Sequence, residues 1–140
     1  MQVLVPVDGS DCSLRALARA IEAVKPARGV VHLMNVQPAF DDYGMIPAYL
    51  TRRRHHELMR ARTQAALAPA VARLRRAGVR SLVHTAAGDT ASAIVRAARR
   101  QGCDSIVMGT RGMGAIGGLI VGSVANKVIH LASVPVTLVK

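Results

Sequence analysis

Residues 2–10 read Gln2-Val3-Leu4-Val5-Pro6-Val7-Asp8-Gly9-Ser10, and their reading decides the fold. An apolar run rich in Val breaks off at Asp-Gly-Ser. A short continuous apolar run closed by turn residues describes a strand buried on both faces. Such strands belong to parallel sheets covered by helices on either side.

Working outward, the same unit repeats. Leu14, Leu17, Ala18, Ile21 and Val24 recur at helical spacing, predicting a helix over about 12–24 that Ser10 or Asp11 caps and Pro26 and Gly29 stop. A strand follows at Val30–Val36, then a loop over 37–48 with two Pro and two Asp. From about Tyr49 to Arg76 the pattern is helical, with Leu67, Val71 and Leu74 on one face. Pro69 interrupts it, which predicts a kink or two helical pieces. Next come a strand at Val79–Thr85, a helix from Asp89-Thr90 with Ala91, Ile94, Val95 and Ala98 inward, and a strand at Ser105–Met108. A Gly-rich loop runs from Gly109 to Gly122; Ser123–Ala132 is the last helix, with Val124, Val128 and Leu131 on one face, and Val134–Val139 the last strand. Strict alternation over 140 residues, without linker or repeat, predicts a single α/β domain spanning residues 1–140, an open parallel five-stranded sheet with helices on both faces.

Composition agrees. Hydrophobic residues are 51% and aromatics 2%, so the core is aliphatic. Cys12 and Cys103 form neither a metal pattern nor a disulfide framework and read as small buried side chains. The start of the chain lacks the basic segment of a signal peptide, and no apolar run is long enough for a membrane span, so a soluble cytoplasmic protein is expected. Net charge is +11, from 19 Lys+Arg against 8 Asp+Glu, which favours anionic partners. The arginines group at 52–54, 60 and 62, at 73, 75, 76 and 80, and at 96, 99 and 100. They read as solvated helix faces, the first group being a candidate anion-binding surface.

In an open parallel sheet ligands bind beyond the carboxyl ends of the strands, where strand order reverses. If the first and fourth strands are neighbours there, Asp8 faces the Gly-rich loop. Six glycines in the fourteen residues 109–122 suit a backbone that approaches a ligand closely. Exposed N–H groups make an anion nest, and the loop feeds a helix N-terminus that Ser123 could cap. No Asp or Glu follows Asp104, while Arg111 and Lys127 lie in or near the loop, so a carboxylate-free phosphate site is expected. Gly112-x-Gly114-x-x-Gly117 matches the dinucleotide fingerprint, but the acidic residue about 20 positions on is missing. The Gly-Lys-Ser/Thr of a Walker loop is also absent.

Taken together, Val3–Ser10, the strand exit Asn35-Val36 and the spacing Gly109-x2-Gly112-x9-Gly122-Ser123 resemble the universal stress protein family, in its ATP-binding branch, over nearly the whole chain. The resemblance implies a Rossmann-like sheet of order 3-2-1-4-5, related to the adenine nucleotide α-hydrolase folds. It implies that Asp8 bonds the ribose, that the Val36 backbone reads the adenine edge, and that Pro6 and Val7 line the pocket. Gly109, Gly112, Gly122 and Ser123 would hold the phosphates, with Mg2+ bridging them. Met108, Arg111 and Val124 complete the expected set of cofactor-binding residues for ATP, ADP or AMP. A homodimer through Val134 to Val139 is implied as well, and an apolar edge strand is a pairing template in its own right. Asn35 stands where a His often precedes the Val.

The expected function is nucleotide-dependent regulation in a stress response, through a protein partner the sequence does not name, with at most slow ATP hydrolysis. An ATP-dependent enzyme of a related fold would need a Ser-Gly-Gly-x-Asp-Ser loop or a His-x-Gly-His pair, and Asp8-Gly9-Ser10-Asp11 is a poor echo of the first. Charge-driven binding to nucleic acid is the other alternative; the scarcity of aromatics speaks against single strands. The histidines His32, His84 and His130 show no metal-ligand spacing, and His55-His56 point apart on a helix.

Overall fold

Strand and helix alternate as β1 (Gln2–Pro6), α1 (Asp11–Val24), β2 (Val30–Gln37), α2 (Arg52–Ala77), β3 (Arg80–Ala87), α3 (Thr90–Arg100), β4 (Ser105–Gly109), α4 (Ser123–Leu131) and β5 (Val136–Val139). The structure is a computed structural model that describes residues 1–37, 52–112 and 121–140. The loop expected over 37–48 and the inner glycines Gly114, Gly117 and Gly118 fall largely or wholly outside the described residues. The strands form one sheet of order β3-β2-β1-β4-β5, and every pairing is parallel. No described helix is long and apolar enough to cross a membrane.

The sheet divides two aliphatic layers. Val3, Val5, Val7, Val31, Leu33 and Val107 face α1 and α2, packing on Leu14, Leu17, Val24, Leu67 and Leu74. Leu4, Met34, Ile106 and Met108 face α3 and α4, packing on Ile94, Ala97, Ala98 and Val128. Alternate residues of β1 thus serve opposite faces, as the period of a strand requires.

Three local expectations change. Helix α2 is one helix with Pro69 inside it. Pro69 and Ala65 are exposed, so the Ala65 carbonyl that loses its donor faces water. On α4 the buried stripe is Ala125 and Val128, continued by partly buried Ala132, whereas Val124 is 37% and Leu131 47% exposed. The stripe follows i, i+3 and i+7, which leaves 124 and 131 on its rims. The last strand begins at Val136 rather than Val134.

The histidines of β2 and β3, 52 residues apart, are in contact. His32 Nδ1 and His84 Nε2 are 3.0 Å apart, and His32 Nε2 meets Gln2 Oε1 at 2.9 Å. Their rings lie 5.2 Å apart and are tilted by only 5°. Parallel register sets Met34 opposite His84, two residues from His32 on the same face. Burial, and then the neighbouring His84, hold the His32 pKa below its ordinary 6.5; burial, and then Arg100, do the same for His84. Both stay neutral in the folded chain, so the unfolded chain takes up protons first as pH falls. This stability is complete above 6.5 and is lost as pH falls from 6.5 through the lower folded values. The urea midpoint should therefore drop on acidification through this window. His84→Gln, which cannot titrate, should flatten that dependence, and an unchanged slope in the variant would remove the pair as its source.

Candidate functional site

The chain leaves β1 for β2 on one side of the sheet and reaches β4 on the other, so strand order reverses at the β1–β4 pair. Connections diverge there and open a crevice above the strand ends. The Val7 N–H donates to the Met34 carbonyl at 2.8 Å, just past the end of β1. The Thr110 N–H donates to the Val139 carbonyl at 2.8 Å, just past the end of β4. The Gly122 N–H then donates to the Thr110 carbonyl at 2.7 Å. The loop that begins at Gly109 is closed at its neck and returned to the crevice.

The three spaced glycines answer to lack of room, since none has a positive φ. A Cβ on Gly109 would stand 2.9 Å from Cys12 Sγ and 3.1 Å from the Cys12 backbone carbon. On Gly112 it would stand 2.5 Å from Asp8 Oδ2. On Gly122 it would stand 3.3 Å from the Thr110 carbonyl oxygen. Asp8 and the loop therefore meet across the crevice, as the strand-end reading expected.

Asp8 also has a structural duty. Its Oδ1 accepts the Ser10 N–H at 3.0 Å and the Ser10 hydroxyl at 2.6 Å. Ser10 Oγ in turn accepts the Ser13 N–H at 3.2 Å, capping α1. One carboxylate oxygen thus orders the turn, while the other faces Gly112.

At the end of β2, buried Asn35 donates to the Val7 carbonyl at 2.7 Å and accepts from Gln37 Nε2 at 2.9 Å. Val7 offers only an acceptor there, so the Asn35 amide has one orientation. Val36 is half-buried in the layer that holds buried Met108. It stands one strand away from the loop, beyond Pro6, which is in register with Met34.

Ser123 does not cap α4. The N-cap is Gly122, without a side-chain hydrogen bond, and Ser123 is the first helical residue. Caps are present on α1 and α3, from Ser10 and Asp89. The first turn of α4 therefore keeps backbone donors aimed toward the crevice. Ser123, Val124 and Arg111 are exposed around it.

This end of the sheet is not free of carboxylates. Lys127 Nζ donates to Asp89 Oδ1 at 2.8 Å, joining α4 to the start of α3. That bond, with those from Ser92, holds the Asp89 carboxyl well below the usual range. Sequence spacing gives no hint of a pair 38 residues apart. Nor does the sequence place Cys12 in the site. Burial alone would raise its thiol pKa, but the Arg111 N–H and the Thr110 hydroxyl outweigh that and lower it. The thiol donates to the Val139 carbonyl at 3.1 Å, tying α1 to β5 beneath the loop. Cys103 is buried under α3, and burial pushes its thiol up to about 11. No group of three His, Cys, Asp or Glu able to hold a metal ion occurs among the described residues. Two surface clefts lie elsewhere, at the starts of β1–β3 and between α1 and β5.

A five-stranded parallel sheet of this order, with a glycine-lined crevice and an uncapped helix at its reversal, defines a doubly wound α/β protein of Rossmann-like topology. The model of the universal stress protein family matches residues 1–140, and the chain belongs to that family. A universal stress protein of Thermus aquaticus is 36% identical over 143 residues, covering 99% of this chain and 97% of that one. One from Methanocaldococcus jannaschii is 33% identical over 139 residues, covering 99% and 81%. Among solved structures, UspA of Lactobacillus plantarum superposes with a TM-score of 0.82 at 22% identity, covering 100% and 97%. A universal stress protein in complex with cAMP gives 0.70 at 25% identity, covering 99% and 95%. The Archaeoglobus fulgidus protein in complex with dAMP gives 0.74 at 24%, covering 100% and 98%.

The glycines differ in what they would displace. Gly109→Ala should lower stability by about 1–3 kcal/mol, because its obstruction is buried backbone and thiol. Gly112→Ala should cost less than about 1 kcal/mol, since it only displaces the end of an exposed carboxylate. Urea unfolding of both variants checks this, and equal losses would contradict it.

Proposed function

We propose that the crevice binds an adenine nucleotide (ATP, or ADP and AMP) and that the bound nucleotide regulates a stress response through a protein partner. The observation that carries this reading is the approach of Gly112 to Asp8, which sets a carboxylate for a ribose against a loop suited to phosphates. Asp8 bonds the ribose hydroxyls and the Val36 backbone reads the adenine edge, beside Pro6, Val7 and Met108. Gly109, Arg111, Gly112, Gly122, Ser123 and Val124 surround the phosphates. The complexes of related proteins with cAMP and dAMP support the adenine nucleotide as the ligand class.

Mg2+ fits this arrangement as an ion held mainly by the phosphates. Such an ion keeps several waters and is bound chiefly through substrate phosphates, so it needs no cluster of protein carboxylates, and Asp8 stays with the ribose. Its contribution is to offset phosphate charge. Hydrolysis is expected to be slow, since Lys127 is committed to Asp89 and Asp8 to ordering Ser10.

Calorimetric titration with ATP tests the site. Asp8→Ala should weaken binding roughly 10- to 100-fold, the effect of losing hydrogen bonds to a charged group. Gly122→Val should abolish it by crowding the Thr110 carbonyl. Failure of wild type to bind ATP, ADP or AMP at about 1 mM, an affinity near −4 kcal/mol, would overturn the reading.

The same reading extends to a homodimer through β5. The Pro135 carbonyl accepts the Ile106 N–H at 2.9 Å, so Pro135 points toward β4. A strand residue turns its N–H and C=O to the same side in a parallel ladder. The donor missing at Pro135 is therefore an inner one, and Val136 and Leu138 present the outer edge. Ile129, Leu131 and Val124 on neighbouring α4 are exposed, which adds apolar surface to that side. Val136→Pro should convert a dimer to a monomer in analytical ultracentrifugation while retaining the β4 contacts. A monomeric wild type would dispose of the dimer.

A further inference from the structure

We propose that the end of the sheet opposite the crevice is a binding surface for the phosphate backbone of duplex nucleic acid, engaged without sequence preference. Three arginine groups that lie far apart in sequence converge there. In a parallel α/β fold every helix finishes, and every following strand starts, at one pole. Arg28 follows α1, Arg75 and Arg76 end α2, Arg80 opens β3, and Arg99 and Arg100 end α3. All six are exposed.

The convergence is visible in specific contacts. Arg80 is in register with Val30, two residues past Arg28. Arg28 and Arg80 line one cleft of about 320 Å³ with Gln2, Ser81 and Leu82. Arg100 acts electrostatically on His84 of β3. Arg28 occupies φ 47°, in the left-handed region that glycine usually fills where a helix ends. A guanidinium therefore sits where backbone geometry favours glycine. Carboxylates are few beside the group: Glu22 is paired with Arg19 at 2.9 Å, and Asp104, which accepts the Gln2 N–H at 2.6 Å, is paired with the Met1 ammonium at 3.9 Å.

A basic residue at a helix C-terminus stabilises the last turn, and Arg76 does this by donating to the Ala72 carbonyl at 3.3 Å. At one cation per helix that role accounts for two of the six and leaves four, among them Arg28 and Arg80, which lie outside helices. The fixed fork of Arg suits phosphate oxygens. Among the described residues the pole carries no aromatic side chain of Phe, Tyr or Trp for stacking, which disfavours single strands. It is made of helix ends and strand starts rather than a helix lying flat with an apolar face, which disfavours a membrane surface.

The test is fluorescence anisotropy of a labelled mixed-sequence duplex against the full-length protein over a salt series. Wild type should bind, with log K falling linearly in log salt at roughly −0.9 per phosphate neutralised. Arg28→Glu/Arg80→Glu should weaken binding at least tenfold at low salt and make the slope shallower by about 2. Arg15→Glu/Lys140→Glu makes the same change in net charge on exposed residues toward the opposite end of the sheet, where Arg15 Nε donates to the Lys140 carbonyl at 2.7 Å. That control should bind as wild type does. Thermal melting and ATP titration of all three proteins verify folding and keep this outcome separate from the crevice. Equal losses in the two variants would overturn the proposal, as would absence of duplex binding at low salt. Tighter binding to phosphatidylglycerol vesicles than to the duplex would overturn it in favour of a membrane.

Discussion

The structure depends on one constraint: β1 is hydrogen-bonded in parallel to both β2 and β4. A strand paired on both edges and covered on both faces must be apolar throughout, and Val3, Leu4 and Val5 are 1%, 0% and 0% exposed. Parallel neighbours also require long crossovers, so helices return the chain to one pole before each new strand. All strand exits then lie together, and β1 and β4 send their chains in opposite directions. The opening that results is a product of connectivity, and side chains only furnish it.

Alternation was legible because each element carries its own period and its own punctuation. The pattern of one strand does not depend on the next; the run Val3–Val7 and the helical stripe Leu14, Leu17, Val24 can each be read alone. That Asp8 and the glycine loop meet at one crevice was legible because Asp8 and Gly109 end apolar strands, and the close packing of Gly112 and Gly122 agrees with their spacing. What escaped reading was set by tertiary register. His32 and His84 meet only because Met34 lies opposite His84. Lys127 meets Asp89 only because α4 packs beside α3. The rotation of α4 was not legible because Val124, Val128 and Leu131 form an apolar face as good on paper as Ala125, Val128 and Ala132. The small residues won because α4 packs closely against α3, where Ala93 and Ala97 are buried.

The crevice also shows why glycine spacing is informative where glycine count is not. Gly9, Gly78, Gly88 and Gly102 have positive φ and shape turns. Gly109, Gly112 and Gly122 have ordinary φ and are fixed by what stands in front of them: a thiol, a carboxylate and a carbonyl. A turn glycine is replaceable by another turn. A glycine opposed by a fixed neighbour is tied to that neighbour, and its position in sequence becomes a statement about the site. The pair Cys12 and Gly109, 97 residues apart, is such a statement.

Charge follows the same division of the molecule into two poles. At the crevice, Lys127 is paired with Asp89, and Asp8 holds Ser10. The first turn of α4 is left there without a side-chain cap, and Arg111 is exposed beside it. Oriented peptide dipoles cannot titrate and need no counter-ion. Six arginines, Arg28, Arg75, Arg76, Arg80, Arg99 and Arg100, lie at the other pole, where helices end. A net charge of +11 is therefore compatible with a nucleotide site that is itself built with few cations.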